Sequence, residues 1–355
     1  TELKFINGRA GLDVAVYKYD RIDQVSTQRL SYGTGFIFGL LNGGHISTSG
    51  VEVQLSGSPV LTNEFEWSML VNFTKNKSIV KELPAKVSEW YSSDTWLYGH
   101  ARGSAYASNL PDFYNPENFP YYNWDYHQRG MGSATAIGGR GYQRNDNGDI
   151  LINPANGLPY QTSDYLPIGE RNPDFMIGFT NTLDYKNLFF SFLLDIRKGG
   201  DVYNANESFL MFSGLSASAR SLDRETPVIF EGVLRDGNEN SSTPTVNDIE
   251  INPFDEGSRY YGSIAAEEFI ERDINWLRLR DITLGYNLPS GLIKGVSTIS
   301  VFTTMTDLFM ITNYSGADPV VNGTNPATAG AGAYGFDYGA VSLPRTISFG
   351  IRLGI

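Results

Sequence analysis

Residues 65–76 read FEWSMLVNFTKN. Phe65, Trp67, Met69, Val71 and Phe73 fall on one side of an extended chain, and Glu66, Ser68, Asn72 and Thr74 on the other. Strict alternation is the signature of a half-buried strand, and this one outruns the roughly 5–6 residues of an average soluble strand. The pattern recurs in both directions along the chain. GVEVQLSG (50–57) sets Val51, Val53 and Leu55 against Glu52, Gln54 and Ser56, and GLDVAVYKYD (11–20) sets Leu12, Val14 and Val16 against Asp13, Ala15 and Tyr17. NLFFSFLLDIRKGG (187–200) carries Leu188, Phe190, Phe192, Leu194 and Ile196 opposite Ser191, Asp195 and Arg197. In INWLRLRDITLGYNLP (274–289) the alternation slips near Arg280 and Asp281, and a β-bulge there would return Ile282, Leu284 and Tyr286 to the apolar face. The chain closes on SLPRTISFGIRLGI (342–355), where Ile347, Phe349, Ile351, Leu353 and Ile355 alternate with Ser348, Gly350, Arg352 and Gly354.

Such segments number about nine, and their connections keep a rhythm. Short turns fall at Asn7-Gly8, around Ser58 to Asn63, around Tyr185 to Asn187 and around Leu288 to Val296. Long connections lie between them, at 26–46, 77–172, 198–272 and 313–341. Short and long connections in strict turn suit an antiparallel transmembrane β-barrel, with tight turns on one side of the membrane and extended extracellular loops on the other. A soluble sandwich gives no reason for the rhythm, and structureless loops this long are rare in compact domains. In a barrel the apolar strand faces meet lipid. Aromatics near strand ends (Tyr17, Tyr19, Phe73, Tyr185, Tyr286, Phe309) then suit interfacial girdles, against the alternative of ordinary β-propensity.

Composition narrows the function classes. Hydrophobic residues are 41% of the 355 and charged residues 19%, with a mean hydropathy of -0.25. No run reaches the roughly 18 apolar residues of a membrane helix. A net charge of -12 argues against a nucleic-acid partner, whose phosphates need a basic surface. There is no cysteine, which excludes disulfides and thiolate sites. The opening TELKFINGRAGLDV has no initiator Met, basic n-region or apolar core, so the chain reads as a mature fragment or a partial chain.

Catalytic signals are missing. His45, His100 and His127 are the only histidines, all in expected loops, without an i, i+4 pair. No G-x-S-x-G elbow occurs. Glu267-Glu268 reads as a solvated acidic face rather than a general acid/base pair. NDNGD (145–149) has part of a calcium-loop look but lacks the spacing and closing Glu, and reads as a polar hairpin turn. No catalytic residue, metal or cofactor is therefore assigned, and the chain does not read as an enzyme. The most suggestive stretch is 90–126, where Trp90, Trp96, Tyr114, Tyr121, Tyr122, Trp124 and Tyr126 cluster among Asp and Asn. Flat rings with polar rims suit stacking on a sugar or cradling a peptide; the alternative is that they pack the loop onto its neighbours or onto a partner subunit. Residues 204–225 read as a short helix within a loop, with Phe209, Phe212 and Leu215 on one face, seated either beneath a partner or inside the barrel mouth.

Several phrases resemble a known family. RNPDFMIGFTNTLDYKNLFFSFLLDIRKGGDVYN (171–204), INWLRLRDITLGYNLP (274–289), LFMITNYSGADPVVNG (308–323), LPRTISFGIRLGI (343–355) and NGGHISTSGVEVQLSG (42–57) look like the C-terminal barrel of SusC-like TonB-dependent transporters of Bacteroidota outer membranes. The resemblance implies the last nine strands of a plugged barrel of the 22-stranded class, with plug, TonB-contact segment and earlier strands outside this chain. It implies import of an oligosaccharide or oligopeptide with a SusD-like surface lipoprotein as lid, powered through TonB. The transporter–lipoprotein pairs are expected to dimerise. Ile347, Phe349, Ile351, Leu353 and Ile355 would form the barrel-closing strand that the barrel-assembly machinery reads, although family members close on an aromatic residue and this chain on Ile355. No family phrase falls in 89–130, so substrate class does not transfer. A lid-independent siderophore or cofactor receptor and, in a different class, a soluble β-rich glycan-binding module stay open as alternatives.

Overall fold

The computed structural model describes residues 2–5, 9–23, 25–29, 35, 38–42, 45–82, 89–91, 101–106, 133–162, 166–217, 225–320 and 334–354. Its frame is one antiparallel sheet of nine strands joined in chain order, each hydrogen-bonded to the next. They are β1 (Glu2–Phe5), β2 (Ala10–Ile22), β3 (His45–Leu61), β4 (Phe65–Glu82), β5 (Phe175–Tyr185), β6 (Leu188–Lys198), β7 (Trp276–Leu288), β8 (Thr298–Thr312) and β9 (Thr346–Gly354). Up-and-down pairing without a crossover is what short turns between long strands enforce. β1 and β9 are the two edges.

Register confirms the two-faced reading. Val71 lies between Leu55 and Phe179, and Phe179 opposite Leu194. Phe190 pairs with Leu284, Tyr286 with Val301, and Val301 with Ile351. One continuous apolar face thus crosses the sheet, and the β-bulge sits where the alternation slipped. Leu193 and Leu194 of β6 pair with Asp281 and Leu279 of β7, so Arg280 is the extra residue on β7, and β8 answers with an extra residue of its own between Thr306 and Phe309. Without Arg280 every side chain from Ile282 to Leu288 would face the wrong way.

β3 and β4 are longer than their apolar stretches. They extend past Val51 and Lys75 as a polar ladder, with His45 opposite Glu82 and Thr48 opposite Ser78. His45 is therefore a strand residue, 3.0 Å from Asp20 of β2, and not a loop residue. Segment 23–44 contains a further hairpin, Val25–Arg29 with Phe38–Asn42. Tyr185, Tyr286, Phe73 and Phe309 lie on the apolar face, two near the short-turn ends and two toward the long-connection ends. Tyr17 and Tyr19 do not join them. They share the polar face with Glu52, and the Tyr17 ring covers Gly50, whose missing side chain leaves it room. Phe189 lies over Gly285 and Phe302 over Gly350 in the same way, so three rings fill glycine gaps on the inner face. Arg352 also points inward, its guanidinium 5.7 Å from the Phe302 ring centre.

The long connections carry most of the buried core. Ile137, Ile168, Tyr203, Ala205, Phe269, Ile270 and Phe336 form one cluster, drawn from three different connections. Leu158, Ile251 and Tyr260 form another. These segments make a packed cap at the long-connection end of the sheet.

Candidate functional site

The mouth of the sheet, where β6, β7 and β8 hand over to the cap, concentrates charge on the inner face. Arg278 of β7 is buried and binds the buried carboxylate of Asp318, which follows β8. Asp307 of β8 lies 3.5 Å from Arg278 and 3.8 Å from Arg280, at ion-pair distance. Arg280, displaced by the bulge, reaches Asp195 of β6 at 2.8 Å. The bulge thus does two things: it restores the apolar register outside and aims a cation along the inner wall. Inner-face polar residues such as Glu52, Gln54, Glu66 and Asn72 fit a wet lumen, but Asp195 and Arg197 are not simply hydrated. Arg197 is buried, stacked 4.9 Å over the Trp276 ring, and donates to the carbonyls of Gly199 (2.9 Å) and Arg171 (2.8 Å).

Arg171 sits above it, equally buried. Its guanidinium lies 4.7 Å over the Tyr334 ring and its Nε donates to the Thr135 carbonyl at 3.2 Å. Burial pulls the Arg171 pKa down and pushes the Tyr334 phenol up. Gly200 is needed here for two reasons: its φ is +83°, and an added Cβ would meet the Arg171 carbonyl oxygen at 2.8 Å as well as the Arg197 guanidinium. The phrases RNPDF and IRKGGD therefore encode a clasp between wall and cap.

ITNYSGADP (311–319) is a second clasp. The Asn313 side chain accepts from the Asn275 N–H at 2.8 Å, and the Ser315 N–H donates to Glu271 at 2.8 Å. Tyr314 donates its hydroxyl to Asp337 at 2.7 Å; burial, then this carboxylate, raise its pKa far above the ordinary phenol value. These bonds tie the β6–β7 connection to the β8–β9 connection.

Glu267 is a correction to the solvated-face reading, whereas Glu268 beside it remains partly exposed. Glu267 accepts from Arg144 Nη2 at 2.8 Å and from the Tyr142 N–H at 3.2 Å, joining two connections. Burial, with Glu267 second, raises the Glu268 pKa. The NDNGD stretch is a polar turn, with the Asn145 N–H on the Asp149 carbonyl at 2.9 Å and Gly148 at φ +93°. Among the described residues no cluster of metal-ligating side chains occurs.

Helix α1 (Ala205–Phe212) forms as expected, its N-terminus capped by Asn204, which accepts the Glu207 N–H at 2.9 Å. Phe209 (68% exposed), Phe212 and Leu215 project from the cap. Of the aromatic stretch, Trp90 lies in a short strand, Glu89–Tyr91, described only in its backbone. Trp96, Tyr114, Tyr121, Tyr122, Trp124 and Tyr126 lie outside the described residues, as do His100, His127, the Asn7-Gly8 turn and Ile355. Ile347, Phe349, Ile351 and Leu353 share the exposed apolar face of edge strand β9.

No family model matches the chain. Among curated proteins it is 27% identical over 362 residues to TonB-dependent receptor P26 and 24% over 365 to TonB-dependent receptor P3, both of Formosa agariphila. Each match covers 99% of this chain and 33% of the relative. TonB-dependent receptor SusC of Bacteroides thetaiotaomicron is 24% identical over 337 residues, 89% of this chain and 28% of that protein. The chain thus spans about a third of the length of these relatives, which are named as receptors. In fold it matches the RagAB peptide importer in the closed-closed state (TM-score 0.60, 16% identity) and in the open-open state (TM-score 0.57, 14% identity), over 99% and 98% of this chain and 34% and 33% of those chains. The resemblance to SusC-like TonB-dependent receptors therefore holds over nearly the whole chain, and the nine-strand sheet has the fold of part of such a barrel.

Proposed function

We propose that the chain is the C-terminal part of the barrel of a TonB-dependent outer-membrane transporter that imports an oligosaccharide or oligopeptide under a SusD-like lipoprotein lid. The observation that carries this reading is the pairing of an apolar sheet face turned outward with a packed cap clasped over one end. In such a transporter the strands are wall, the inner charges line the lumen beside the plug, and the cap meets the lid. TonB supplies the mechanical work, so the chain needs no reactive side chain. β9 would pair along its free edge with a first strand and present Ile347 to Ile355 to the assembly machinery. The outward Phe209, Phe212 and Leu215 favour the lidded reading over a lid-independent receptor, because a lid gives an exposed apolar cluster something to bury.

In the full-length protein, extraction should require detergent and the band should shift on heating before electrophoresis. Recovery in the aqueous fraction instead would favour the glycan-binding module. Co-purification with a neighbouring-gene lipoprotein tests the lid, and Phe209→Ala with Phe212→Ala should weaken it while stability stays within about 0.5 kcal/mol. Undiminished capture would detach that helix from the lid.

A further inference from the structure

The apolar face does not end in bare polar residues at the cap end. Val51 lies opposite Lys75, and two pairs further up Ser49 lies opposite both Lys18 and Lys77. Lys18, Lys75 and Lys77 therefore share the outward face, immediately beyond the Val16–Val51 and Val53–Phe73 pairs. All three are exposed, and none forms an ion pair with a described residue.

Beside Lys75 and Lys77 the sheet splits. β4 pairs with β5 only as far as Thr74, opposite Met176, and above that the segment at Ser133 takes over with a bridge to Ile79. Between the two partners a cleft of about 470 Å³ opens, lined by Lys75, Lys77, Ser133, Thr135, Asn172 and the carboxylates of Glu170 and Asp174. Asn172 holds its edge in place by donating to the Asn76 carbonyl at 2.7 Å. Below it, Phe73 and Phe175 pack together with ring centres 5.7 Å apart, marking the top of the lipid-facing band.

We infer that this cleft and its lysines form a binding site for the phosphorylated sugar headgroup of an outer-leaflet glycolipid. The inference rests on the proposed membrane reading, in which the cap end is extracellular. Each part of the ligand has a counterpart: acyl chains on the outward apolar face, phosphate on the lysine ammonium groups, sugar hydroxyls on Ser133, Thr135, Asn172 and the two carboxylates. Lysines just beyond a hydrocarbon band attract anionic headgroups while their stems lie along the apolar surface. A soluble substrate would have no use for cations on the outside of the wall.

The test uses the full-length transporter in detergent micelles doped with bisphosphorylated lipid A, read by intrinsic fluorescence and by native mass spectrometry. Lys75→Gln with Lys77→Gln should weaken lipid A binding about tenfold or more. Dephosphorylated lipid A should bind wild type and variant equally weakly, and Lys294→Gln, at the opposite end of the sheet, should change nothing. Unchanged lipid A affinity in the double variant overturns the inference. Displacement by inorganic phosphate alone also overturns it, by making the site one for free anions. Heat-modifiable migration is recorded on the same samples: a normal shift with unchanged lipid binding sinks only the glycolipid site, whereas loss of the shift in wild type sinks the barrel reading as well.

Discussion

Phe349, in edge strand β9, is 84% exposed, whereas Phe336, in the connection just before it, is fully buried. The two phenylalanines belong to regions built on opposite rules. Along its apolar band the sheet turns its apolar side chains outward and keeps ions on its inner face, the outward lysines lying beyond that band; the cap folds its apolar side chains inward, as a water-soluble domain does. The difference is one of solvent. In hydrocarbon a strand gains nothing by hiding Phe or Ile, and must only satisfy its backbone through neighbouring strands. A loop in water has to bury apolar surface to hold any one shape at all. The clasps of Arg171, Arg197 and Arg278 lie at the seam, where neither rule alone would hold the parts together.

The comparison can be broken most sharply at that seam. Arg278→Ala removes the cation from the buried Asp318, while Asp307 keeps Arg280, and should cost about 3–5 kcal/mol, because the Asp318 carboxylate is left buried without a cation. The expected outcome is loss of cap protection in hydrogen exchange with the heat-modifiable sheet retained; simultaneous loss of both would mean that cap and wall form a single cooperative unit. Next comes the outward face. Phe349→Arg should destabilise insertion into lipid by about 2–4 kcal/mol if it sits near the midplane. Arginine at Ser348, one residue away on the inner face, should be tolerated, and equal penalties at the two positions in a vesicle-folding titration would refute the two-faced sheet.

A smaller effect is expected within the cap. Tyr314→Phe deprives the buried Asp337 of a donor and should cost about 1–3 kcal/mol, seen as faster exchange in the 334–340 segment without change in the sheet. The smallest is a pH effect. Glu268 has a raised folded pKa, so its protonated form is favoured in the native cap. Its contribution to stability is complete below the unfolded carboxyl pKa and is lost as pH rises through the raised folded value. Glu268→Gln should therefore protect the cap more than wild type at neutral pH and make no difference in acid. Because Glu268 is partly exposed the gain is slight, and a larger gain in acid than at neutrality would reverse the sign argued here.

The strands were legible in the sequence because lipid imposes a period of two that no partner contact needs to complete. FEWSMLVNFTKN fixes its own outward face, and the slip at Arg280 announced its bulge before any register was known. Tyr17 and Tyr19 misled as girdle residues because composition near a strand end does not reveal parity, while counting alternation from Val16 does. The polar tops of β3 and β4 were invisible for a related reason: Ser, Thr and His alternate with one another and leave no contrast.

Apart from helix α1 and the NDNGD turn, the cap was legible only as absence of pattern. Its core draws Ile137, Tyr203, Phe269 and Phe336 from connections far apart in the chain, and nothing local marks them as neighbours. Glu267 reads as one of two solvated acids until Arg144 and Tyr142 are brought to it. The sequence by itself determined where the strands run and which side of the sheet is apolar, since both follow from spacing within single strands. Only the tertiary structure decided which charges are clasps, and that the lysines above Phe73 form no ion pair among the described residues, because ion pairing depends on what other segments deliver to the same place.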